Sequence, residues 1–274
     1  MVHFELSMLK SRTGVGLAII ITWVAFAALV PFLTSYSPNS IDLHSFLLPP
    51  SLSHPLGTDN FGRDTFVRLV YGAQVTFQVI LIVAAVMIPA GMLLGLVSYY
   101  SKMYDAILNV VIDTMLSLPG ILFALLIVAG IGPGTFNVSV AIGISQIPII
   151  ARITRSGVIS LKNVEYVEGA IASGETSLSV LTRYILANSY QPIVVQSIIR
   201  LGGSVVGVAA LSFIGLGVQI PQAEWGAMMV NGAAYLSSAP QLVLYPGLAL
   251  VSLVMGFNLL GDGLQFTLRE VLRK

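Results

Sequence analysis

Cysteine is absent from the chain. That excludes a disulfide framework, a thiolate metal site and a cysteine nucleophile. Charge is scarce: 9% of residues are Asp, Glu, Lys or Arg, against about 25% in an ordinary soluble domain. Thirteen basic and twelve acidic residues leave a formal net charge of +1, which points to neither nucleic acid nor an acidic partner. The three histidines, His3, His44 and His54, lie outside the long apolar runs. No Gly-x-x-x-x-Gly-Lys-Ser/Thr run occurs, so the chain brings no nucleotide site of its own.

What remains is apolar. Hydrophobic residues make up 56% of the chain, and the mean hydropathy is +0.90. A helix needs about 20 apolar residues to cross a bilayer. Six stretches qualify: Val15–Leu33, Val75–Tyr99, Ala106–Ile131, Val138–Ile153, Ile193–Val218 and Leu242–Leu260. The expected fold is therefore all-α, a polytopic membrane protein with six transmembrane helices. The first run has basic flanks and no small-residue cleavage site, so it reads as a retained span rather than a signal peptide. The fourth is short, and Pro148 is expected to kink it or end it early.

Six spans put both termini on one side. With the termini cytoplasmic, the inner segments hold Lys10, Arg12, Lys102, Arg152, Arg155, Lys162, Arg183, Arg269, Arg273 and Lys274. The outer segments hold Arg63 and Arg68, while Arg200 falls inside the fifth span. That asymmetry orients the chain by the positive-inside rule. The expected division is a cytoplasmic segment 1–14, a first span 15–33, an external loop 34–74, a core 75–262 and a cytoplasmic tail 263–274.

One polar stretch interrupts the apolar core, residues 163–192. Asn163 is a plausible N-cap, and Val164–Ala172 has a helical rhythm. Gly174 stands where a left-handed C-cap falls. Thr176 or Ser177 can cap a second helix, Leu178–Asn188, with Leu178, Leu181, Ile185 and Leu186 on one side. Pro192 then opens the next apolar run. A helix, glycine corner and helix hung between two spans can plug into a partner's groove.

The external loop carries Leu56-Gly57-Thr58-Asp59-Asn60-Phe61-Gly62-Arg63-Asp64. Glycine and Asx at this density favour a tight turn. Asp59, Arg63 and Asp64 can pair within it, and the expected role is a brace for the outer helix ends, worth little if exposed. Gly91-x-x-x-Gly95 and Gly203-x-x-x-Gly207 have the spacing that lets membrane helices approach closely, whether within the chain or against a second membrane subunit around a shared pore. Asp113 and Arg200 lie about two turns into the third and fifth spans, where a pair across the helices is conceivable; neither is assigned to selecting a solute. Asp262, between Gly261 and Gly263, reads as a boundary residue.

These motifs resemble the permeases of ABC importers. Glu168-Gly169-Ala170, then Gly174, then Ile185-Leu186-Ala187 is similar to their EAA loop, with Gly169 in place of the first alanine and Ala187 in place of the usual proline. The Leu56–Asp64 run is similar to the LGTDxxGRD signature of the C-type subunit in the dipeptide, oligopeptide and nickel group. Leu211–Gly217, Trp225–Met228, Tyr245–Gly247 and Phe257–Asp262 match further family motifs in order. The resemblance implies a type I permease fold with a cytoplasmic coupling helix, in a bacterial or archaeal cytoplasmic membrane. It implies no cofactor. It implies a second homologous permease, two ATP-binding subunits and an extracytoplasmic solute-binding protein. Glu168, Gly169, Ala170, Ile171, Ala172 and Gly174 would couple to the ATPases. The cargo would be a di- or oligopeptide or a chelated nickel ion, because no histidine, cysteine or carboxylate cluster lies in the spans to hold bare nickel.

Two other classes compete. A passive channel needs no capped helical element on one face, and no filter or charge ring is visible. An intramembrane aspartyl protease would place Tyr-Asp and Gly-x-Gly-Asp on two spans. Tyr104-Asp105 and Gly261-Asp262 echo that, but Leu259 occupies the first glycine position and Asp105 is expected in a polar loop beside Lys102.

Overall fold

Glycine and proline decide where the apolar rods of this chain break and where they cross. The computed structural model describes residues 2–34 and 36–271; the side chains of residues 2–11, 30, 31, 33 and 268–271 also lie outside the description. The side chains of Lys10 and Arg269, and the whole of Arg273 and Lys274, are therefore among the basic residues left undescribed. Among the described residues the regular structure is helical, with one isolated bridge between Thr58 and Asp64 in place of any sheet.

The helices in order are α1 (Val2–Leu33), α2 (Thr65–Leu96), α3 (Lys102–Leu116), α4 (Gly120–Ile131), α5 (Thr135–Leu161), α6 (Glu165–Ala172), the single turn α7 (Ser177–Ser179), α8 (Ala187–Phe213), α9 (Trp225–Ala233) and α10 (Gln241–Val271). A π-helical segment, Val180–Leu186, joins α7 to α8, so Ser177–Phe213 is one rod. Five rods are long and apolar enough to cross a membrane: α1, α2, α5, Ser177–Phe213 and α10. α3 and α4 pass the same test only together, bent by 87° at their junction, so there are five candidate spans, or six if the bent pair is one span. The chain is thus an all-α, multi-pass membrane protein.

Several expected boundaries move, each for a local reason. The third span is not continuous: Pro119 sits in extended backbone at the N-cap of α4 and breaks the rod. Pro148, in contrast, lies buried inside α5, which runs unbroken for 27 residues. The missing hydrogen bond is tolerated there because neighbouring helices enclose the segment. The loop expected over 34–74 gives way to helix at Thr65, the first residue of α2. Asp64 caps α2, its Oδ1 accepting the Val67 N–H at 2.8 Å. The fifth span stops at Phe213 rather than Val218, where Gly215 takes φ +82° and the N–H groups of Leu216 and Gly217 both fold back to the Leu211 carbonyl at 3.0 Å. Asn163 is not a cap; Val164 holds that position in α6 without a side-chain bond. The second helix of the polar element does not stop at Asn188. No proline stands at the junction, and Ala187 carries the helix onward through Pro192, which lies inside α8.

The bundle is held by two long pairings, α2 along α5 and α1 along α10. Gly91 and Gly95 make the first possible: a Cβ on Gly91 would fall 2.6 Å from Ile150 Cβ, and one on Gly95 2.4 Å from Thr154 Cβ. Those glycines are spent on contact inside the chain, not on a pore. Trp225 locks α9 into place. It is fully buried, its Nε1 donates to the Leu69 carbonyl at 2.8 Å, and it meets Trp23 edge-on at 4.9 Å. Glu224 caps α9, accepting from the N–H groups of Gly226 at 2.8 Å and Ala227 at 2.9 Å. Burial pushes the Glu224 carboxyl up from its ordinary range, and those two bonds oppose the shift.

Candidate functional site

The short helix α6 hangs at the end of the bundle where α2 finishes and α5 gives way to the next rod. Its two faces differ. Val167 and Ala170 are buried and join Val158, Val180, Leu181 and Ile185 in a small core, with Leu96 and Tyr99 at its edge. Tyr166, Glu168, Gly169, Ile171 and Ala172 face outward, and Ile171 is 48% exposed. Of the residues that the EAA resemblance singles out, Ala170 therefore packs inside this chain, whereas its neighbours face out. Leu178 does not share a side with Leu181 and Ile185: it is 67% exposed, because the π segment changes the angular spacing of the side chains.

Gly174 makes the corner that leads out of α6. Its φ is +85°. The Gly174 N–H donates to Ile171 at 3.0 Å and the Glu175 N–H to Ala170 at 3.1 Å, the paired bonds of a Schellman end. Thr176 then starts the next turn, its hydroxyl accepting from the Ser179 N–H.

At the opposite end, the Leu56–Asp64 run is a buried ionic knot. Asp59 Oδ1 accepts from the N–H groups of Phe61 at 2.8 Å and Arg63 at 3.0 Å. Its Oδ2 takes Arg63 Nε at 2.7 Å and lies 3.6 Å from Arg68 Nε. Arg63 and Arg68 are each 2% exposed. Arg68 also donates to the carbonyl of Pro38 at 2.7 Å and reaches the Pro221 carbonyl at 3.3 Å, tying the loop to the α8–α9 connection. Asp64 Oδ2 meets His54 Nδ1 at 2.8 Å. Thr58 donates to the Ser45 carbonyl and accepts from the Leu48 N–H. The expectation of weak, exposed pairs is corrected: the loop folds over these charges and removes them from water. Arg68 was legible only as one more basic residue, because it sits outside the motif and its partners are distant in sequence.

The remaining charges between helices pair differently from the expectation. Asp113 pairs with Arg152 of α5, not with Arg200, and accepts from Asn109 at 3.0 Å. Asp105 is not in a loop. It lies in the first turn of α3 and forms a two-pronged bond with Arg155, Nε to Oδ1 at 2.6 Å and Nη2 to Oδ2 at 2.9 Å. Asp262 is exposed on α10. A protease dyad of Asp105 and Asp262 has no support, since one carboxylate is neutralised by a guanidinium and the other faces outward.

Arg200 instead lines an open cleft of about 400 Å3 formed where α3 and α4 break, against the middle of α5 and of α8. Gly203 lines it too, with nothing within 4 Å of where a Cβ would stand. Arg200 has no ion pair among the described residues, and its buried Nε has no hydrogen-bond partner.

Residues 87–274 match the family described as "Binding-protein-dependent transport system inner membrane component". The chain is 41% identical over 252 residues to a dipeptide transport system permease protein of Alkalihalophilus pseudofirmus, covering 92% of this chain and 83% of that one. It is 37% identical over 252 residues to a glutathione transport system permease protein of Pectobacterium atrosepticum, covering 91% of this chain and 84% of that one.

Proposed function

The chain belongs to the family of inner membrane components of binding-protein-dependent transport systems, and on that premise we propose that it forms half of the pore of an ATP-driven importer of short peptides. Its partners in this reading are a second, homologous permease, two ATP-binding subunits and a solute-binding protein on the outer side. Both termini and α6 face the cytoplasm, and the knot around Asp59 faces out. Short peptides rather than a nickel chelate are the cargo, a choice supported by the names of the relatives.

The observation that carries the coupling role is the divided surface of α6. Val167 and Ala170 anchor it to the bundle, while Tyr166, Ile171 and Ala172 present unpaired apolar surface at its tip. An element fixed on one side and sticky on the other transmits a partner's movement to the rods it is anchored to. A passive channel gives no reason for that arrangement.

Uptake of labelled dipeptide into vesicles holding the complete importer tests the reading. We expect uptake with ATP and none without it. Ile171→Asp is expected to abolish recovery of the ATP-binding subunits while the second permease still co-purifies. Reporter fusions after Lys274 and near Asn60 test the orientation, the first expected inside and the second outside. Uptake that proceeds equally without ATP would return the reading to a passive channel.

A further inference from the structure

The break between α3 and α4 builds a site that the coupling argument does not use. Pro119 and Gly120 form its lip, Gln146 contributes from α5, and Arg200, Gly203 and Ser204 from α8. The cleft lies midway along a candidate span, because its α5 wall, Ile142–Ile149, is the central part of that 27-residue helix. A charged side chain at such a depth is costly and persists where it faces water, protein or a solute path. Arg200 faces this cleft, and no acidic residue lines it.

Two buried polar atoms of the cleft residues lack partners, Arg200 Nε and Gln146 Oε1. One is a donor and the other an acceptor. A buried donor or acceptor left without a partner carries its full desolvation cost. Gly120 and Ile121, the first residues of α4, line the same lip, and their N–H groups precede any intrahelical acceptor. The positive end of a helix and a guanidinium fork converge on one chemistry, a carboxylate, and broken membrane helices hold anionic solutes in this way.

We propose that this cleft is a transit site for the C-terminal carboxylate of the peptide, held by Arg200 and the α4 N-terminus, with Gln146 accepting from a peptide N–H. The assignment rests on the short-peptide reading above. It makes Arg200 a specificity residue for solutes that carry a free carboxylate.

The test uses vesicles with the complete importer, radiolabelled dialanine and ATP. Arg200→Gln is expected to lower uptake at least tenfold, Arg200→Lys to restore part of it, and both to leave the complex at wild-type yield. Gln146→Glu places a resident carboxylate in the cleft and is expected to lower uptake to the same degree. A benzophenone-bearing amino acid at Ile149, which lines the cleft, is expected to take up peptide label during turnover in an otherwise unaltered chain. Wild-type uptake by either Arg200→Gln or Gln146→Glu would overturn the assignment. So would dialanine uptake with no label at Ile149, whatever the folding of the variants. Loss of the second permease from the Arg200→Gln complex, with label still absent from Ile149, would make Arg200 an interface residue and also overturn it. Wild-type vesicles that take up no dialanine at all would instead sink the functional reading, and this assignment with it.

Discussion

The two ends of the bundle are built on opposite economies of contact. The Leu56–Asp64 end closes on itself: Asp59 serves two guanidiniums, Asp64 caps α2 and meets His54, and Arg68 reaches two backbone carbonyls. The α6 end buries Val167 and Ala170 against Val158, Val180, Leu181 and Ile185 and leaves Tyr166, Ile171 and Leu178 exposed. Both ends carry a motif of comparable length, with glycine at positive φ. The lesson is that a motif's charge content does not tell where it acts. Charges folded inward set the stability of their own chain, and apolar groups turned outward set its assembly with others.

Asp59 carries the largest expected effect. Asp59→Asn leaves Arg63 and Arg68 buried at 2% exposure each without their counter-charge. Removing one partner from such a group costs about 3–5 kcal/mol. We expect a fall on the order of 10 °C in the thermal midpoint of the detergent-solubilised protein. An unchanged midpoint would show that the knot does not hold that end together.

Glycines at the two ends differ in what surrounds them. Gly62 and Gly174 have φ of +69° and +85°. A Cβ on Gly62 would fall 1.7 Å from the Asp42 carbonyl oxygen, whereas one on Gly174 meets nothing within 4 Å. Gly174→Ala therefore carries the conformational cost alone, about 1–2 kcal/mol. Gly62→Ala adds a clash with backbone and is expected to cost about 3 kcal/mol or more. Thermal midpoints of the two variants, measured side by side, check the order. Gly174→Val, with its β-branched side chain, is expected to exceed Gly174→Ala and to weaken recovery of the ATP-binding subunits as the corner shifts.

Much of this was legible in the sequence. Apolar length gave the rods, and the Gly174 corner followed from its place at the C-cap position just past the helical rhythm of Val164–Ala172. Gly91 and Gly95 announced a close crossing, though not that α5 is the helix crossed. What stayed hidden depends on where side chains point after folding. Nothing in Leu56–Asp64 says that its charges are covered, since the cover comes from residues 38–48 and 221. Ala170 and Ile171 are adjacent and similar in polarity, and only the position of the Val158–Ile185 core separates them into an inward and an outward residue. Pro119 and Pro148 look alike in an apolar run. One breaks the rod and the other does not, because α5 is enclosed by α2 and α8 while the α3–α4 junction is exposed.

Gly169 gives a smaller effect of the opposite sign. It faces outward, and a Cβ there meets nothing within 4 Å. Gly169→Ala is expected to stabilise α6 by about 0.5–1 kcal/mol. If the thermal midpoint rises while uptake falls, the bare backbone at Gly169 is part of the surface that the partner covers. If uptake is unchanged, that part of the surface stays uncovered.

Glu168 is expected to affect stability least and transport most. It is exposed in the first turn of α6, near the positive end of the helix. Glu168→Lys exchanges two residues of similar helix propensity, and the reversed charge at the helix start costs a few tenths to about 1 kcal/mol, reduced by solvent. The thermal midpoint should barely move. Glu168 lies beside the outward Ile171 and Ala172, so its charge belongs to the rim of the contact and not to its apolar centre. Rim charges act on encounter and on mispairing, and a like-charge juxtaposition costs more than truncation. Membrane level and recovery of the second permease are expected to match wild type, ATPase recovery to weaken, and ATP-dependent uptake to be lost. Glu168→Gln, which removes the charge without reversing it, should fall between the two. If Glu168→Lys transports at the wild-type rate, the coupling role of α6 is wrong, even though every helix around it stays as described.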